Sequence, residues 1–68
     1  KMERNLRLNW KEIVKVAVAR RKQQRFTQEQ LAILAGVSKP TLNQFEQGKT
    51  TVKVESALKI LRTLGLTL

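Results

Sequence analysis

Between residues 10 and 23 the apolar side chains fall at Trp10, Ile13, Val14, Ala17 and Val18. That is the three-and-four spacing of a helix with one face turned inward. A second helix is predicted from Thr27 to Gly36. Thr27 and Gln30 have the spacing of a capping box, and Phe26 and Leu31 bracket it as a hydrophobic staple. This helix is expected to bury Leu31, Leu34 and Ala35 and to stop at Gly36, the residue type best able to close a helix in a left-handed conformation. Ser38 is placed to cap a third helix, with Val37 and Leu42 as its staple. Pro40 falls in that helix's first turn, where a missing N–H costs nothing. Gln47 ends it and Gly48 follows. A fourth helix is predicted from about Val54 to Leu64, with Val54, Ala57, Leu58, Leu61 and Leu64 on its inner side. Leu6, Leu8 and Trp10 near the start alternate with polar residues, as do Leu64, Leu66 and Leu68 at the end; each run is readable as a short strand or a frayed terminus.

The pattern therefore describes an all-α domain of four helices, with optional terminal strands. Residues 1–9 read as an arm or short strand, 10–65 as the domain proper with 27–47 at its centre, and 66–68 as a C-terminal tail. Sixty-eight residues support one modest core, and a chain this short usually needs reinforcement. Cysteine is absent, so disulfides do not supply it. Histidine, cysteine and aspartate are all missing, so neither a structural metal nor a cofactor is expected. Association with a second copy remains.

Charge sharpens the functional question. Fourteen Lys and Arg against five acidic residues give +9, and a pI near 11.1. Such a balance favours a polyanionic partner, because basic groups that neutralise phosphates release counterions. No stretch is apolar for the ~20 residues that a membrane span needs. The Arg-rich start has no apolar stretch of the kind a secretory leader carries. A cytoplasmic location is expected. Arg20, Arg21, Lys22 and Arg25 cluster where the first helix ends, which suits the helix dipole. At about 100° per residue, however, Arg21 projects into the apolar stripe and calls for a partner.

Two short helices joined by Gly36-Val37-Ser38 describe a helix-turn-helix. On the second of them Leu42 and Phe45 turn inward, so Pro40, Asn43, Gln44 and Gln47 point out, with Lys39 beside them. Amide side chains can pair with adenine, lysine can donate to guanine, and an apolar ring can touch a thymine methyl. Gln28 lies at a helix N-terminus, where free amides favour a phosphate. Lys49, Thr50, Thr51 and Lys53 form a basic, hydroxyl-bearing loop suited to the same task, with Lys22 and Arg25 as further phosphate candidates. Glu46 projects to the Leu42 side, away from the outward row.

The segments TQEQLA, AGVS and FEQGKT, in register with their flanking helices, make residues 10–65 resemble the lambda-repressor/Cro-like helix-turn-helix family, in the subgroup with small antitoxin-type regulators. The resemblance implies base contacts at Lys39, Pro40, Thr41, Asn43 and Gln44, although proline is less usual in that position. It implies phosphate contacts in the Lys49–Lys53 loop and an Arg21–Glu46 pair joining the first helix to the base-reading one. It also implies dimerisation near the C-terminus, which the sequence assigns to Ile60, Leu61, Leu64, Leu66 and Leu68, with Ile60 and Thr63 on the outward side of their helix.

The function expected is a sequence-specific, double-stranded-DNA-binding repressor, dimeric on a palindromic operator, with a toxin protein as partner if the antitoxin resemblance extends to role. Two alternatives stand beside it. A protein-bridging module is disfavoured because Trp10, Phe26 and Phe45 all look like core, leaving no aromatic anchors. Non-specific nucleic-acid binding is permitted by charge, but exposed stacking aromatics are missing. An enzyme is not expected, since no nucleophile–base set or carboxylate pair is available.

Overall fold

The computed structural model describes residues 9–67 and shows four helices: α1 (Trp10–Gln23), α2 (Gln28–Ala35), α3 (Lys39–Glu46) and α4 (Val54–Thr63). The signals at Thr27, Gly36 and Ser38 act as read, and a further cap opens α1. Asn9 caps α1 by accepting from the Glu12 amide at 3.2 Å. At α2 the capping box is complete: the Gln30 amide donates to Thr27 Oγ1 at 3.0 Å and the Thr27 amide to Gln30 Oε1 at 2.9 Å. Gly36 closes α2 with φ 75°, and the Val37 amide reaches back to the Ala32 carbonyl at 3.0 Å. Ser38 caps α3, taking the Thr41 amide at 3.1 Å. The turn between α2 and α3 is therefore built from one left-handed glycine and one side-chain cap, Ser38. α1 ends on the same left-handed geometry, but there the residue is Arg25, with φ 64°.

Phe45 sits fully buried with Leu31, Leu42, Ile60 and Leu64, and Val14, Ala17, Ala32, Ala35 and Ala57 complete the core. Trp10 closes one end, its ring edge-on to Phe45 at 5.5 Å between centroids, a favoured aromatic geometry. Every buried residue is apolar among the described residues. α3 is thus held from beneath by Leu42 and Phe45, which leaves its other side free.

The inward faces of α2 and α4 need correction, and the open choice at the C-terminal end is resolved. Leu34 is 58% exposed, not buried; Leu31, Ala32 and Ala35 form the inner arc of α2, whose centre lies about 110° from Leu34. Ile60, expected on the outward side of its helix, is fully buried. The inner face of α4 is Ala57, Ile60 and Leu64, rotated roughly 60° from the one the pattern suggested, so Val54 is left 73% exposed. Residues 64–67 form a turn and an irregular segment, not a strand. Gly65 has φ 76°, and the Leu66 amide bonds back to the Leu61 carbonyl at 2.8 Å. The chain therefore reverses onto α4 where a strand would have continued. Leu6 and Leu8, the other candidate strand, lie outside the described residues.

Candidate nucleic-acid interface

With Leu42 and Phe45 anchored in the core, the helical repeat turns Lys39, Pro40, Asn43, Gln44 and Gln47 to solvent. Thr41 differs from the rest of the expected base-contact set. It is half-buried, and its hydroxyl accepts from Ser38 Oγ at 2.8 Å. It therefore belongs partly to the cap of α3.

Glu46 is the acidic residue nearest this row, and it is folded away from it. Arg21 Nε donates to Glu46 Oε2 at 2.6 Å and Arg21 Nη2 to Glu46 Oε1 at 3.2 Å. The pair is the forked geometry in which guanidinium and carboxylate bind most strongly. Both side chains are largely shielded, at 12% and 9% exposure. Arg21 Nη1 also donates to the Phe26 carbonyl at 2.8 Å. One guanidinium thus joins α1, the turn before α2, and the end of α3. Gln28 adds a further link, donating from Nε2 to Glu46 Oε1 at 2.9 Å and, at 3.5 Å, to Asn43 Oδ1. Its amide side chain is thereby committed inward, while its backbone N–H stays at the start of α2. Any phosphate contact from Gln28 falls to that backbone group. The network also removes the carboxylate's charge from the outward face of α3.

The remaining expected phosphate residues are exposed: Lys49, Thr50, Thr51 and Lys53 in the loop after α3, and Lys22 and Arg25 at the end of α1. Val52 packs against the core and anchors the middle of that loop. Of the expected dimer residues, Ile60 and Leu64 lie inside the chain's own core. Leu61 and Leu66 are half-buried, and with Ile13 and Val16 they line a shallow groove of ≈ 310 Å³. Leu68 lies outside the described residues.

A family profile described as helix-turn-helix matches residues 19–68, a span that includes the Arg21–Gln28–Glu46 network, all of α3 and the loop after it. The chain belongs to the lambda-repressor-like helix-turn-helix family. It is also 38% identical over 66 residues to a protein of Haemophilus influenzae named as an uncharacterized HTH-type transcriptional regulator. That alignment covers 97% of this chain but 64% of the relative, so the chain spans less than two-thirds of that protein.

Within this family frame one residue escaped the sequence reading. Arg20 reads from the sequence only as one of the basic residues at the end of α1, yet its Nη1 donates to the Leu64 carbonyl at 2.9 Å, satisfying an end group of α4. The two residues are 44 apart in the chain. No local spacing signals such a contact; only packing α1 beside the end of α4 creates it.

Proposed function

We propose that this protein is a double-stranded-DNA-binding transcriptional regulator that places α3 in the major groove. The observation that carries the reading is the outward row Lys39, Pro40, Asn43, Gln44 and Gln47, exposed while the neighbouring Glu46 is held inward by Arg21 and Gln28. A face that offers amide and ammonium groups with no carboxylate suits base edges flanked by phosphates. Backbone contacts fall to the start of α2 and to the Lys49–Lys53 loop, with Lys22 and Arg25 at the margin.

The finer reading is a dimeric repressor on a palindromic operator, with the helix-turn-helix at 27–47 and dimerisation near the C-terminal end of the chain. With Ile60 and Leu64 consumed by the core, we assign pairing to the apolar groove of Leu61, Leu66, Ile13 and Val16, where Val16 is 48% exposed. Two-fold pairing would set the two α3 helices about one DNA turn, ~34 Å, apart. The antitoxin resemblance makes self-repression of an operon, with a toxin as second partner, the narrowest form of the proposal. Selecting bound sequences from a random duplex pool tests all but that last part. A palindrome is expected; a pool that enriches no sequence overturns specific recognition.

A protein-binding role has one observation behind it. Ile33 and Leu34 are 73% and 58% exposed beside half-buried Phe26, leaving an apolar patch on the outer side of α2. It lies apart from the α3 face, so it does not compete with the DNA reading.

A further inference from the structure

A groove of ≈ 590 Å³ runs between α1 and the C-terminal end of α3. From α1 it is lined by Lys11, Lys15 and Lys22 with Val14, Val18 and Ala19 flanking them, and from the end of α3 by Gln47 and Gly48. All three lysines are exposed. On a helix these positions fall within an arc of about 40°, and the row they make is about 16 Å long. Glu46 also lines the groove, but Arg21 and Gln28 already occupy both of its oxygens. The recess is therefore an open, shallow groove that combines three ammonium groups with apolar side chains. It is continuous with the exposed face of α3 through Gln47, and with the basic loop through Gly48 and Lys49.

We propose that this groove seats one sugar–phosphate strand of the bound duplex, with Lys11, Lys15 and Lys22 meeting successive phosphates while Val18 and Ala19 pack against deoxyribose. The inference rests on the DNA-binding reading and extends its footprint from the helix-turn-helix onto α1. A single strand of B-DNA carries one charge per ~3.4 Å of axis, so a row of this length matches a few phosphates. An acidic polypeptide would also suit three lysines. The groove's continuity with the α3 row favours DNA, because a strand bordering the major groove that α3 enters would run beside Gln47.

The test compares the wild-type chain with the double variant Lys11→Gln/Lys15→Gln on the duplex that pool selection yields. Both side chains are exposed, so the thermal melt should be unchanged, which serves as the folding control. The slope of log K against log salt should fall by about two units, near 0.9 for each lost phosphate contact. Ethylation interference should lose specific phosphates from the wild-type pattern, while the selected base sequence stays the same. An unchanged slope and an unchanged ethylation pattern overturn the proposal; titration with poly-L-glutamate then asks whether the row serves an acidic polypeptide. Failure of the wild-type chain to select any sequence would instead defeat the DNA reading itself, so the two failures are distinct.

Discussion

Arg20 and Arg21 are neighbours in sequence, yet they bond to different parts of the molecule. Arg21 reaches the α2–α3 side, where its guanidinium makes three hydrogen bonds, two of them to a carboxylate. Arg20 reaches the α1–α4 side and donates one bond to a carbonyl at the end of α4. The two sides differ in the same way overall. The α2–α3 side is organised by capping side chains and a charged network with defined partners. The α1–α4 side is organised by apolar contact, with Val16, Val54 and the half-buried Leu61 and Leu66 left at its surface. Directional bonds hold a side chain to one orientation, whereas apolar contact is non-directional and tolerates sliding. The side proposed to read DNA is thus the rigidly specified one, and the side proposed to pair with a second copy is the greasy one.

The contrast is broken most severely at Arg21. Arg21→Ala strands Glu46, and removing one partner of a shielded pair should cost roughly 2–4 kcal/mol. Arg20→Ala should cost about 1 kcal/mol, the scale of a single hydrogen bond. Urea midpoints measure both, and equal midpoints would erase the distinction between the two sides. Next in size is Gln44→Ala, expected to lose about 1–3 kcal/mol on the selected duplex at one base position per half-site, with stability intact. Equal weakening on random DNA would remove Gln44 from base reading.

On the apolar side, Val16→Lys should shift sedimentation toward monomer and lower the melting temperature only at concentrations where the parent is paired. A tenfold or greater loss of pairing affinity, about 1.4 kcal/mol, is expected. A variant that sediments as the parent does places the interface elsewhere. Lys49→Ala should weaken cognate and random duplexes alike and lower the salt slope by about one unit; a constant slope would take the loop out of the phosphate contacts. The smallest effect is expected at Arg25. Arg25→Gly relieves a left-handed backbone but adds freedom to the unfolded chain, for a net gain of about 0.5 kcal/mol in stability. Denaturant midpoints read that gain, and a loss would show that the arginine side chain itself holds the turn.

What the chain's own sequence determined is punctuation. Thr27 with Gln30, Ser38, Pro40 and Gly36 act within a few residues of themselves, so the starts of α2 and α3 and the turn between them were readable from spacing alone. The outward row of α3 was readable as well, because Leu42 and Phe45 leave one arc for the core and another for everything polar. Tertiary structure decided which arc of α2 and of α4 turned inward. Apolar residues circle α2 and span about 160° of α4, wider than the arc either helix buries, so the pattern permits more than one rotation, and close packing chose Ala32 over Leu34 and Ile60 over Leu61. The Arg21–Glu46 pair was expected from the family resemblance, but tertiary structure alone decided the other long-range bonds, from Arg20 on the end of α4 to Gln28 on Glu46. Such bonds exist only once the helices have been brought side by side, and no periodicity within one helix encodes its neighbour.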